Sequence, residues 1–261
     1  MTNREKYKFD DFTLDNYRRL IRIAKEQGFR FILHKDEYVA DRKDVIWRHD
    51  VEFSPDIALK MAHIENEEGV QATYFFQMHC NYYNTFDRHY TKLLHEIESL
   101  GHHIGLHFDS HYWNIQSEED LNKYVLLDRT YFDTALGTHI DTFSFHNTNK
   151  FILTECKSMT YGGLLNVYAD YFKEHYDYCG DSTGIWRFDR LEDRLLDPKI
   201  QHLQVLTHDG MWSEEVKSPH KRVMSCIQDR ADYLKHSYMV GLPKGGNINV
   251  DDDCINPGCE K

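Results

Sequence analysis

Two spacings of apolar residues alternate along this chain. Leu14, Tyr17, Leu20, Ile21 and Ala24 fall on one stripe of a helix that starts after Thr13 and runs to Gln27. Gly28 ends that helix, and the apolar run from Phe29 to Leu33 reads as a strand. A second strand, Val45 to His49, leads into Asp50, Val51 and Glu52. Pro55 suits the first turn of a helix that lasts to Glu68, and Gly69 closes it. The pattern then repeats, with a strand at 71–76, a helix from Phe86 to Leu100 capped by Thr85, and a strand at 103–107 after Gly101. Ser117 with Asp120 resembles a capping box that opens a helix to Leu136. Strands follow at 142–145 and 203–206, and Ser218-Pro219 opens a last helix to about His236.

Strands that alternate with helices predict an α/β protein with largely parallel strands. About seven such units predict one distorted (β/α)7-type barrel domain over residues 1–240. Residues 241–261, rich in Gly, Asn and Asp, read as a loosely ordered C-terminal tail, with Asp251–Asp253 as solvated surface.

Composition narrows the classes. A chain of 261 residues can bury a large core without disulfides. Its net charge of −12 argues against a nucleic-acid partner, which calls for a basic footprint. The first dozen residues are charged throughout, unlike a secretory signal, and no apolar run reaches the ~18 residues of a membrane span. Six cysteines without a C-x-x-C pair read as reduced thiols of a cytoplasmic protein.

The seventeen histidines matter through their positions. Asp50, Glu52, His107, His111, His146 and His208 all fall at or just past the C-terminal ends of predicted strands, the edge where βα loops build active sites. In His107-Phe108-Asp109-Ser110-His111, two imidazoles four apart can face one way across a helical turn and ligate zinc. In so histidine-rich a chain, two unrelated histidines are the alternative. Arg48-His49-Asp50-Val51-Glu52 places two carboxylates at a strand end, costly to bury unless paired or metal-bound. One can ligate an ion while the other takes a proton from water, or both can cap the helix at Pro55. His208 in Leu206-Thr207-His208-Asp209 can donate a proton, oriented by Asp209 or another acid, or be a structural histidine. Residues 178–187 combine Asp181, Trp186 and Arg187, suited to hold a polar ligand against an aromatic wall, or to an ordinary turn with a core Trp.

Taken in order, the segments between about residues 45 and 210 resemble the polysaccharide deacetylase (NodB-like) superfamily, carbohydrate esterase family four. GHHIGLHFDSH at 101–111 is similar to its second motif and LTHD at 206–209 to its last. The resemblance implies a distorted barrel and hydrolysis of an acyl group on a sugar with one divalent metal. Zinc is the first choice, and iron, cobalt, nickel or manganese suit the same donors. By position, it makes Glu52, His107 and His111 the metal ligands, Asp50 the base and His208 the general acid, with the roles of Asp50 and Glu52 exchangeable. A backbone N–H near the Tyr74–Gln77 strand end would join the metal in stabilising the oxyanion. Where the family often places an arginine that steadies the base, SFHNTN at 144–149 has His146, which leaves Arg48 or Arg187 for that purpose. Arg48, His49, His146, Asp181, Trp186 and Arg187 are the expected substrate-binding or supporting residues. The branch it looks like is the cytoplasmic one associated with surface glycans, and the implied substrate is an N-acetyl or N-formyl sugar, nucleotide- or lipid-linked. Two other readings stay open: a barrel phosphoesterase with more ligands and two or more ions, and a non-catalytic metal- or sugar-binding barrel.

Overall fold

A computed structural model describes residues 1–244 of the chain. Helices α1 (Asn3–Tyr7) and α2 (Leu14–Glu26) precede strand β1 (Arg30–Ile32). Three strand–helix units follow: β2 (Asp44–Val51) with α3 (Pro55–Glu67), β3 (Thr73–Phe76) with α4 (Arg88–Ser99), and β4 (His103–Asp109) with α5 (Glu118–Tyr131). Beyond β5 (Thr142–His146) come shorter pieces: α6 (Lys150–Thr154), β6 (Thr160–Tyr161), β7 (Leu164–Asn166), α7 (Asp170–His175), β8 (Asp177–Gly180) and α8 (Leu191–Leu196). Strand β9 (His202–His208) and helix α9 (Pro219–Lys244) complete the described chain.

One sheet holds all these strands, in the order β6-β7-β5-β4-β3-β2-β9-β8, with β1 alongside β2. Every pair is parallel except β6 with β7. The sheet curls as the expected distorted barrel does but stays open, because β6 and β8 do not pair with each other. Apolar residues cover its outer face against α2–α5, with Tyr17, Trp47, Met61, Leu94 and Val125 fully buried there. Inside the curl, a smaller group of Ile32, Ile46, Ala169, Phe172 and Tyr176 plugs the end from which the strands start. The opposite end, where the strands finish, is left to polar residues.

Most expected elements appear, with shifted ends. Asp87, not Thr85, caps α4, its carboxylate accepting from the His89 N–H at 2.9 Å. The Thr85 hydroxyl instead donates to the Gln77 carbonyl. Strand β9 starts one residue earlier than expected and runs to His208, so the histidine is part of the strand. Helix α9 continues past His236 to Lys244. The rest of the expected tail, residues 245–261 with the Asp251–Asp253 run, lies outside the described residues.

Candidate metal centre

Strand β2 sets the geometry through its two-residue period. Alternate side chains point to opposite faces, so Ile46, Arg48 and Asp50 rise along the inside of the curl while Trp47, His49 and Val51 face the helices. All eight residues of the strand are buried. Register then brings the neighbours level: Asp50 lies opposite His208 on β9, and His107 on β4 lies opposite Ser144 on β5.

At this end, Glu52, His107 and His146 place one ligand atom each within 4.8 Å of one another. Among the described residues this is the one group of three His, Cys, Asp or Glu with that property. His107 Nε2 is 3.0 Å from Glu52 Oε1, and His146 Nδ1 is 2.7 Å from the same oxygen. The hydrogen bonds behind His107 decide its tautomer. Ser144 donates its hydroxyl hydrogen to Asp50 Oδ1 at 3.1 Å, since an ionised carboxylate only accepts. Its oxygen is therefore free to accept from His107 Nδ1 at 2.7 Å. With the hydrogen on Nδ1, a neutral His107 turns a lone pair toward the Glu52 carboxylate. Two acceptors face each other there, which is stable only with a positive charge between them: a proton or a cation. Behind His146, the Asn147 amide lies 2.8 Å from Nε2. As placed, its Nδ2 faces Nε2; with the amide flipped, Oδ1 accepts Nε2–H and leaves Nδ1 free to ligate. The donor set, two imidazoles and one carboxylate, suits a catalytic zinc or another first-row divalent ion. Burial opposes ionisation of Glu52, yet His107 and His146 hold its carboxyl well below the usual range. Burial also works against charging His146, and the Glu52 carboxylate outweighs it and raises the imidazole pKa.

His111 does not belong to this group. Its Nε2–H donates to the Asn147 carbonyl at 2.7 Å and its ring is exposed. The expectation required a helical turn between His107 and His111. The chain is instead in strand through Asp109, then turns, and enters α5 only at Glu118. The turn after Asp109 carries the His111 ring to the Asn147 carbonyl and away from Glu52. His146, expected as a supporting residue, is the histidine that lies with Glu52 and His107.

Glu52 is held by its backbone. The Asp209 carboxylate accepts from the N–H groups of Glu52 at 2.7 Å, Phe53 at 3.1 Å and Ser54, which are left open where α3 begins. Gly210 is required for this approach, since a Cβ there would lie 2.5 Å from Phe53 Cβ.

Arg48 is fully buried between the Phe75 and Tyr168 rings, 5.7 and 5.1 Å from their centres, and donates to Asp50 Oδ2 at 3.2 Å. Burial works against its charge, and the Asp50 carboxylate more than restores it, raising the guanidinium pKa. His208 presents the other titrating group. Asp181 accepts from its Nδ1 at 2.6 Å and from its backbone N–H at 3.1 Å, while Trp212 Nε1–H donates to the same carboxylate at 3.0 Å. Burial opposes charge on His208, but Asp181, with Glu52 and Asp50 beyond it, pushes its pKa up to about 10. Nδ1 being taken, Nε2 is the atom left for chemistry. Asp50, Glu52, Asn147, Tyr168, Arg187 and His208 all line a cavity of about 440 Å³.

Two expected residues lie elsewhere. His49 faces the helices, with Nε2 2.7 Å from Glu65 and Nδ1 2.6 Å from the Thr207 hydroxyl, in a buried structural network. Trp186 stacks on Phe12 at 5.0 Å, outside the lining of the Asp50 cavity.

No protein-family model matches this chain, and none of the curated proteins matches it. Solved structures do. A family 4 carbohydrate esterase from Bacillus anthracis is 14% identical, with 82% of this chain and 85% of that one covered and a TM-score of 0.42. A Streptococcus pyogenes deacetylase in complex with acetate is 12% identical, with 82% and 86% covered and a TM-score of 0.43. A protein from Bacillus anthracis described as a family 4 pseudoenzyme is 13% identical, with 75% and 63% covered and a TM-score of 0.41.

Proposed function

We propose that this chain is a metal-dependent amide hydrolase of the polysaccharide deacetylase superfamily that removes an N-acyl group from a sugar. The observation that carries this reading is the meeting of Glu52, His107 and His146 around one point, at the end of the curl where Asp50 and His208 line a shared cavity. Glu52, His107 and His146 would hold one divalent ion, zinc first. A bound ion supplies Lewis-acid polarisation of the acyl carbonyl and lowers the pKa of water.

The protein's own groups account for the proton movements. Asp50, an ionised carboxylate fixed by Arg48 and Ser144, accepts the proton of the attacking water. Arg48 is the arginine that steadies this base. His208, kept protonated by Asp181, delivers a proton from Nε2 to the departing nitrogen. That transfer turns a poor leaving group, an amide anion, into a free amine. Arg187, at the rim of the cavity, orients the sugar, which is nucleotide- or lipid-linked in this reading, in a cytoplasmic route to surface glycans.

The test is acyl release. The purified chain, with its metal content counted, is offered N-acetyl and N-formyl sugars, free and nucleotide-linked, with and without chelator. Acetate or formate released in step with free amine, and stopped by chelator, is the expected result. One ion bound per chain with no release from any sugar would overturn it and leave the non-catalytic binding barrel.

A further inference from the structure

Next to the catalytic cavity lies a second one of about 490 Å³, and Thr183 and Arg187 line both. Its remaining walls include Lys6, Lys8 and Trp186. In a chain of net charge −12, this is a local excess of positive charge. Among the described residues, Lys6, Lys8 and Arg187 form no ion pair with a carboxylate, whereas Arg190 at the edge is taken by Asp11.

Backbone conformation marks the same place independently. Four described residues other than glycine have a positive φ: Lys8, Asn114, Asn147 and Thr183. Three of them line these two cavities, Asn147 in the first, Lys8 in the second and Thr183 in both. Lys8 ends helix α1 at φ 46°, a position that glycine fills without strain. Thr183 is β-branched and has φ 66°, which is rarer still. Strain kept on side-chain-bearing residues is a signature of binding sites.

We infer that this second cavity is the subsite for a diphosphate group on the substrate, held by Lys6, Lys8 and Arg187 beside the wall formed by Trp186. The inference rests on the hydrolase reading only for what lies next door. Two cavities sharing Arg187 let one molecule place its acylated sugar at Asp50 and His208 and its diphosphate on the lysines. Three cations without a carboxylate partner, Lys6 and Arg187 resting over the Tyr7 and Phe188 rings, match a diphosphate diester, which keeps two negative charges at neutral pH, better than a single carboxylate. Lysine serves here as a point charge and arginine as a two-pronged donor.

The experiment titrates inorganic pyrophosphate, uridine diphosphate and geranyl diphosphate into the full chain by calorimetry. Expected is one saturable site for pyrophosphate, weaker with added salt because the contacts are exposed. Uridine diphosphate binding tighter than pyrophosphate assigns a nucleotide-linked substrate, and geranyl diphosphate binding tighter assigns a lipid-linked one. Equal affinities show that the diphosphate alone is read. Lys8→Gly and Arg187→Gln should each weaken binding by about tenfold, the worth of one charge-assisted hydrogen bond. Lys8→Gly also relieves the positive φ, so lost binding in a protein of equal or higher Tm reports lost charge and not misfolding. Binding unchanged in both variants, or no saturable binding at all, overturns the inference. So does binding that disappears in Glu52→Gln, which would place the anion at the metal centre. Diphosphate binding that survives while no acyl group is released would overturn the hydrolase reading and leave this subsite standing.

Discussion

Replacing Asp181 by asparagine removes one charge from a carboxylate that accepts three hydrogen bonds, from His208 Nδ1 at 2.6 Å, His208 N at 3.1 Å and Trp212 Nε1 at 3.0 Å. An amide has one oxygen. Set where Oδ2 stands, that oxygen keeps the backbone and indole donors, and the –NH2 then faces Nδ1. A donor in that position disfavours the imidazolium and selects the neutral tautomer with its hydrogen on Nε2. In the parent protein, burial lowers the His208 pKa, but Asp181 foremost, then Glu52 and Asp50, carry it up to about 10. With Asp181 neutral, burial acts against weaker opposition, and the value falls toward or below the ordinary ~6.5. A fall from about 10 to ~6.5 is worth ~5 kcal/mol, at ~1.4 kcal/mol per pH unit.

The sign of the stability effect follows from the direction of the shift. A histidine whose folded pKa is raised contributes stability that is complete below its unfolded value and is lost as pH rises through the folded value. The stability gap between parent and Asp181→Asn should therefore be widest near pH 6 and close as pH approaches about 10. What remains at pH 10 is a constant cost from the rearranged hydrogen bonds. Urea unfolding at pH 6, 8 and 10 measures the gap, and NMR titration of His208 in metal-free protein measures the pKa. Acyl release at neutral pH should fall by ~10²–10⁴, the usual worth of a positioned general acid. A His208 that still titrates near 10 in the variant, or a gap that does not change with pH, would refute the reasoning.

His107→Ala and His146→Ala should each lose the bound ion, while His111→Ala, whose ring meets only the Asn147 carbonyl, should keep it. Metal analysis of the three proteins decides between the two ligand sets. Asp209→Asn should cost ~2–4 kcal/mol in urea unfolding, since three N–H groups at a buried helix start share one carboxylate. It should also weaken the ion by loosening the backbone of Glu52, and unchanged stability and affinity would show that water replaces the carboxylate freely. Gly210→Ala should cost ~1–3 kcal/mol, because its Cβ would lie 2.5 Å from Phe53 Cβ. An alanine protein with the parent's Tm would mean that the loop yields without strain.

The barrel was legible because its long units obey simple periods. Strands β2 to β5 and β9 each contain a short apolar stretch, and α2, α3, α4 and α5 carry stripes between recognisable stops such as Gly28, Gly69 and Gly101. The stretch from α6 to α8 was not legible, since its strands have two to four residues and its helices five or six. A period cannot establish itself over so short a span. That stretch includes β8, whose pairing of Gly180 with Leu206 carries Asp181 alongside His208. A partner for His208 was expected, but from sequence Asp209 was as good a choice as any. Only the strand pairing separates the acid that holds His208 from the acid that holds the Glu52 loop.

The ligand set shows the same division between local pattern and register. His107 and His111 stand close in sequence, which suggested a shared helical face, whereas His107 and His146 are 39 positions apart. They meet because β4 and β5 run parallel with His107 beside Ser144 and Asp109 beside His146. Strand β2 makes the point most sharply. Arg48, His49 and Asp50 are consecutive, all buried and all polar, and composition does not sort them. The pleat does, sending Arg48 and Asp50 into the curl and His49 to Glu65 on the other side. A slip of one residue in the pairing of β2 with β9 would put His49 in the cavity and Asp50 among Tyr17, Glu65 and Tyr74, a second carboxylate beside a buried one. The interior network around Glu65 therefore opposes the wrong register as well as filling space, and it keeps Asp50 level with His208.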